Sequence, residues 1–300
     1  MVNNTVSLIT ETLKLTCENA IFPNLERICC AQKWLAVKLS NGRCGYSFLF
    51  FGEHAVYGNT YPTDCKRLNE YIGMSIDQVF THIIKQLPQS AVATKNEMLF
   101  GCFSEAIINA LSQNINSIES LVARGAVIVP SEPCPFFKQD DFVVLIGAGM
   151  LMKESVQAHA EVHIVDMRNL GLFAVLDMPE NKNRLSSLKA QFHNELSLPE
   201  LLEQASVVCA TGCTLANGTF WDIAKQLRKR KQPPREFILF GPTAQAPMEL
   251  LAENGVTHVV TSQVADADCF MDELGLLPLG FSITGCQKYS ADISQLRRYK

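Results

Sequence analysis

Gly212-Cys213-Thr214-Leu215-Ala216-Asn217-Gly218-Thr219, then Gly241-Pro242-Thr243, then Gly255-Val256 leading to Val264-Ala265-Asp266, frame the second half of this chain. The first two turns directly follow short apolar runs, 206–210 and 237–240, that read as buried strands. In an open α/β sheet, loops at the carboxyl ends of the strands converge on one crevice, and ligands bind there. Small residues in such loops let backbone N–H groups approach a ligand closely. Loop 212–219 offers the Cys213 thiol, the Thr214 and Thr219 hydroxyls and the Asn217 amide at a helix start, which suits an anionic or carbonyl-rich ligand. A helix start also lowers thiol pKa, making Cys213 a candidate thiolate. The plainer alternative is turn chemistry alone, with Asn217-Gly218 making the bend and Thr219 capping the helix.

Upstream of this loop the pattern alternates. Residues 142–146 read as a strand, Gly147-Ala148-Gly149 as its turn and 150–160 as a helix. A strand at 162–165 ends in Asp166, a third is expected at 172–176, and 183–203 reads as a charged helical stretch. Downstream, Thr219 and Asp222 form a capping signal for a helix whose apolar face is Phe220, Ile223, Ala224 and Leu227. Its last turn is Arg228-Lys229-Arg230-Lys231, where cations complement the helix dipole, and Pro233-Pro234 stops it. A strand at 237–240, a short helix at 247–253 and a strand at 256–260 complete a series of βαβ units, which implies a parallel sheet of Rossmann-like type. Within it, Gly147 and Gly149 with Asp166 also fit a weaker alternative. They would bind NAD(P) or S-adenosylmethionine, with Asp166 on a ribose, although Met152 stands where the third glycine of G-x-G-x-x-G belongs.

The first 120 residues read as mixed α and β. Segments 34–39 and 44–51 are strand-like, and Ser40-Asn41-Gly42 between them signals a hairpin. Helices are expected at 75–86 and 97–113. The second is nearly all apolar, but Gly101, Glu105 and Asn109 fall four apart on one face, pointing either to solvent or into a cleft. Beside a ligand, Glu105 would be a candidate proton acceptor or metal ligand. Residues 119–141 carry Pro130, Pro133 and Pro135 without helical period in their second half, so the division expected is 1–125 and 126–300.

Composition narrows the class. With 47% hydrophobic and 19% charged residues there is ample material for a core. A net charge of −4 argues against a nucleic-acid binder relying on counterion release. The apolar run 142–152 is shorter than the roughly 20 residues that cross a bilayer, and no basic region precedes an apolar core at the amino end. The expectation is a cytoplasmic protein without membrane or nucleic-acid partners. Its 11 cysteines form no CxxC and read mostly as buried thiols, and its six histidines show no metal-motif spacing; His159 and His163 are four apart but divided between a helix end and a strand start.

The order and spacing of Gly212-Cys213-Thr214, Asn217-Gly218-Thr219, Gly241-Pro242-Thr243, Gly255-Val256 and Val264-Ala265-Asp266 resemble a family of unknown function known as the putative heavy-metal chelation domain. The resemblance implies a small α+β domain like the amino-terminal part of enolase, followed by a Rossmann-like parallel-sheet domain. It also implies a ligand site between the two, beside the glycine loops. The early hairpin and helices, with Asn109-Ala110 late in the helix, are similar. Cys213 departs from the pattern, standing where a small hydroxyl residue is expected.

The expectation is therefore a protein that binds a small polar or anionic ligand at an interdomain cleft, a divalent or soft metal ion or a metal chelator among the choices. Gly212, Cys213, Thr214, Asn217, Gly218, Thr219, Gly241, Pro242, Thr243 and Asn109 would line the site. If it turns substrate over, Glu105 or Asp266 is the candidate acid or base, and Cys213 the candidate nucleophile or soft metal ligand. Binding and turnover both remain open at this stage, as does the oligomeric state.

Overall fold

The computed structural model describes residues 2–17, 21–31, 34–49, 62–88, 93–130, 136–148, 151–158, 160–167, 190–276 and 285–297. The amino-terminal part opens with helix α1 (Val2–Thr16), then an antiparallel meander of β1 (Leu25–Cys30), β2 (Trp34–Leu39) and β3 (Cys44–Phe48). The hairpin turn falls where the sequence puts it, with Gly42 at φ +81°. A 3-10 segment (Pro62–Tyr71), α2 (Ile76–Ile83), α3 (Lys95–Ser112) and α4 (Ile118–Ala123) follow. Both expected helices form, and β1 and α1 are additions.

Helix α3 is the axis of the molecule. Thr94 caps it reciprocally: its hydroxyl accepts from the Glu97 N–H at 3.2 Å, and its own N–H donates to Glu97 Oε2 at 2.7 Å. Every residue from 98 to 112 is buried, as befits a helix apolar nearly all round. Each large side chain so buried contributes about 1.5–3 kcal/mol. One face lies on β3, and the helix also meets the second sheet's loops. Consequently a single apolar core runs from Leu35 and Phe103 through Leu215 and Phe220 to Leu239 and Ile293.

The second sheet has eight strands: β4 (Val127–Val129), β5 (Phe142–Ile146), β6 (Glu161–Val165), β7 (Ala190–His193), β8 (Val207–Thr211), β9 (Glu236–Phe240), β10 (His258–Val264) and β11 (Cys286–Asp292). Their order is β4-β11-β10-β9-β8-β5-β6-β7. Strands β5 to β10 are mutually parallel, and β11 runs antiparallel to both β10 and β4. Taken in chain order, the six parallel strands are arranged 3-2-1-4-5-6, the doubly wound order of dinucleotide-binding folds. The order reverses between β5 and β8.

Helices α5 (Met152–Gln157), α6 (Leu198–Gln204), α7 (Cys213–Ala216), α8 (Phe220–Lys229), α9 (Met248–Glu253) and α10 (Ala267–Leu276) connect the strands. Two expectations are corrected. Of the charged stretch 183–203, the described residues begin with the edge strand β7, paired in register with β6, and end in helix from Leu198. Thr219 does stand at the start of α8, but it makes no side-chain cap; its hydroxyl donates to Asn217 Oδ1 at 2.7 Å instead. The strand expected at 172–176 lies outside the described residues. No described helix is long and apolar enough to cross a membrane.

Candidate functional site

The crevice at the carboxyl ends of β5, β8 and β9 is where a doubly wound sheet takes a ligand, and here α3 crosses it. Two close approaches set that contact. A Cβ on Gly101 of α3 would stand 2.2 Å from the Ala216 carbonyl oxygen, so only glycine lets α3 rest on α7. A Cβ on Gly212 would stand 2.5 Å from the Ala244 nitrogen, so only glycine lets the loop after β8 nest on the loop after β9. Gly147, Gly218 and Gly241 bend the chain at positive φ (+83°, +78° and +98°).

Polar side chains stitch the two parts together around this contact. Asn109 Nδ2 donates to the carbonyls of Tyr46 (2.9 Å) and Thr243 (3.3 Å), and the Thr243 hydroxyl accepts from the Phe48 N–H (3.1 Å). Further along, Gln113 Nε2 donates to Val264 O at 2.6 Å, and Asn116 Nδ2 to Gln245 O at 2.7 Å. Tyr46 and Ser262 share a buried hydroxyl–hydroxyl bond of 2.6 Å, and Arg124 pairs with buried Glu249 at 3.0 Å. Apart from Asn109 and Thr243, none of these was legible. Each joins segments more than a hundred residues apart, and no local spacing announces it.

The glycine loop itself is largely satisfied from within. The Thr214 hydroxyl donates to Thr211 O at 2.7 Å, and Asn217 Oδ1 accepts both the N–H (3.0 Å) and the hydroxyl of Thr219. Pro242 O accepts from Gln245 Nε2 at 2.6 Å. Cys213 opens the four-residue α7, is half-buried and lies near Cys102. Asp266 is exposed and caps α10, its Oδ1 accepting from the Cys269 N–H at 3.0 Å. Asp166 is buried at the end of β6, and its Oδ2 accepts from the Ala148 N–H at 2.8 Å, bracing the loop after β5. Gly149 and His159 lie outside the described residues.

Among the described residues, several buried polar atoms lack a hydrogen-bond partner, and some of them are on α3. Glu105 is 2% exposed, and among the described residues nothing bonds to its Oε1. One turn on, Asn109 is fully buried and its Oδ1 likewise lacks a partner. Burial alone pushes the Glu105 carboxyl well above its ordinary range, which favours its protonated form. Burial likewise pushes up the Cys102 thiol, which donates to Phe48 O at 3.1 Å and has Cys213 and Glu105 close by. Of the two orientations the sequence left open for Glu105 and Asn109, solvent is excluded.

A heavy-metal ion held directly wants converging thiolates or imidazoles. Among the described residues no three His, Cys, Asp or Glu side chains converge to hold one. The close histidine pair, His163 Nδ1 to His193 Nε2 at 2.9 Å, joins β6 to β7 with Glu161 on the far ring nitrogen. The crevice presents lone oxygens, and its buried thiol is protonated and hydrogen-bonded. Those residues do not fit a bare soft ion.

The sequence profile of one family, DUF364, described as "Putative heavy-metal chelation", matches residues 136–276, the stretch that carries the crevice loops. This stretch is a DUF364 domain. A DUF364 protein of unknown function from Pyrococcus horikoshii superposes with a TM-score of 0.62 at 18% identity, covering 97% of this chain and 100% of the other. Another from Desulfitobacterium hafniense gives 0.62 at 13%, covering 97% and 99%. The DUF364 fold therefore extends over the amino-terminal part as well. An enolase from environmental sequencing of the Sargasso Sea has a TM-score of only 0.33 at 11% identity, over 73% of this chain and 78% of its own. No curated protein matches the chain.

Proposed function

We propose that this DUF364 protein binds a small polar organic molecule in the crevice between α3 and the loops after β5, β8 and β9, and that the metal named in the family description arrives as a chelate. The observation that carries the reading is the pair of buried acceptors, Glu105 Oε1 and Asn109 Oδ1, left without partners among the described residues and a turn apart on the face of α3 that carries Gly101. A buried polar atom without a partner costs about 1–3 kcal/mol, so two of them a turn apart mark a place built for a ligand. Gly101 and Gly212 bring backbone close, and Gly241 bends the loop after β9 at positive φ. The division expected at about residue 125 makes this an interdomain site.

If the protein turns its ligand over, Glu105 is the candidate acid or base, and Asp266, occupied as a helix cap, is not. The rival reading is a nucleotide-dependent enzyme, favoured by the 3-2-1-4-5-6 strand order and the Gly147 turn. Tight binding of NAD(P) or S-adenosylmethionine, abolished in Asp166→Ala, would support the rival. The crevice reading is tested by denaturing freshly purified wild type and Glu105→Gln and comparing the small molecules released. A compound present in wild type and depleted in the variant is expected; identical release from both would refute it.

A further inference from the structure

We propose that the group Glu105 and Asn109 recognise is the protonated amine of an organic ligand, a nitrogen with several N–H donors, and neither an anion nor a bare metal ion. The inference rests on the crevice being the binding site and adds the charge and chemistry of what enters it.

Asn109 fixes the polarity of the site. Its Nδ2 donates to two carbonyl oxygens, Tyr46 O and Thr243 O. That fixes which way the amide faces, because a flipped amide would set its oxygen against both carbonyls. The unsatisfied atom is therefore an acceptor by construction. Glu105, one turn earlier on the same face, adds a carboxyl oxygen. No neighbouring charge contributes to the behaviour of this carboxyl; desolvation is the whole cause. Structural buried carboxylates are paired with a cation or with donors, and this one is not.

Asn109 Oδ1 is fixed as an acceptor and would face an anion's lone pairs, and an anion beside Glu105 would oppose ionisation of its carboxyl. A soft metal ion finds no converging nitrogen or sulfur donors among the described residues. An ammonium group carries three donors and a full positive charge. It satisfies both oxygens at once, and its charge draws Glu105 into the ionised form. The displaced proton leaves to solvent, so binding exchanges one proton for one organic cation, and the net charge of the site is unchanged.

The test uses Cys213 as reporter, since it is half-buried beside the crevice and near the Cys102–Glu105 end of α3. Its alkylation by iodoacetamide, resolved from the other cysteines by peptide mass spectrometry, is timed with the full-length protein. The probes are ethylammonium and 2-aminoethanol, against acetate and ethanol as anionic and neutral counterparts. The amines are expected to slow labelling of Cys213 while acetate and ethanol do not. Glu105→Gln, which keeps the shape, is expected to raise the amine concentration needed by about tenfold, the worth of one charge-assisted hydrogen bond. Equal protection by acetate or ethanol, or unchanged amine protection in Glu105→Gln, overturns the amine assignment but leaves the crevice reading intact. No protection by any probe overturns both. The wild-type comparison among probes needs no variant, so a poorly folding Glu105→Gln would not remove the test.

Discussion

Replacing Gly101 by alanine tests whether the contact of α3 with α7 is as close as the crevice requires. The added methyl would stand 2.2 Å from the Ala216 carbonyl oxygen and 3.2 Å from Pro88 Cγ. Ordinary contact asks for more than 3 Å, so α3 must withdraw by about 1 Å or the β8–α7 loop must yield by as much. The nearer obstacle, the Ala216 carbonyl, is backbone and cannot rotate away. Overpacking of this kind costs about 1–3 kcal/mol, and a rigid carbonyl places it near the top of that range. Alanine returns about 1 kcal/mol through its better helix propensity. The net loss is about 2 kcal/mol, read as a lower urea midpoint at unchanged slope. The same variant should label faster at Cys213, because the helix over the crevice has lifted. At an ordinary helical glycine the propensity gain would win. A midpoint equal to or above wild type, with Cys213 labelling unchanged, would refute the close approach on which the site is built.

Other predictions follow from single contacts. Burial holds the Glu105 carboxyl well above its ordinary range in the folded protein, so folding favours uptake of a proton, and stability falls as pH rises above about 4.5. Glu105→Gln should therefore be more stable than wild type at pH 7.5, by about 1.4 kcal/mol for each unit of displacement, and indistinguishable from it near pH 4; parallel pH curves for the two proteins would contradict this. Asp266→Ala should cost about 1 kcal/mol through loss of the α10 cap and leave ligand content unaltered, as thermal melting and small-molecule release would record. Asp166→Ala removes the carboxylate that holds the Ala148 N–H, and should cost about 2 kcal/mol with faster hydrogen exchange confined at first to the loop after β5.

The second sheet was legible because its signals are local. Apolar runs such as 142–146 and 237–240 end in glycines whose turns need positive φ, and the alternation with helices leaves a parallel sheet as the only economical packing. Ala190–His193 was missed because Ala-Gln-Phe-His has half-exposed residues at an edge and no apolar run to betray a strand. Gly101, Glu105 and Asn109 could be seen to share a face, but whether that face met water or protein depended on Ala216 and Thr243, more than a hundred residues away. Asp266 and Thr219 invited chemical or capping roles by type and position. The first turned out to hold a helix end and the second an asparagine, because short polar side chains near turns find backbone or neighbouring side-chain partners first. Cys213 opens α7 half-buried, and the described residues gather no ligand set of three around it.

Native mass spectrometry of the freshly purified full-length protein, with elemental analysis of the same sample, tests the central claim most directly. The expected result is a bound organic mass, with metal present only in proportion to that mass, and loss of both in Glu105→Gln. A stoichiometric heavy-metal ion without an organic partner, retained in Glu105→Gln and lost in Cys213→Ser, would contradict it.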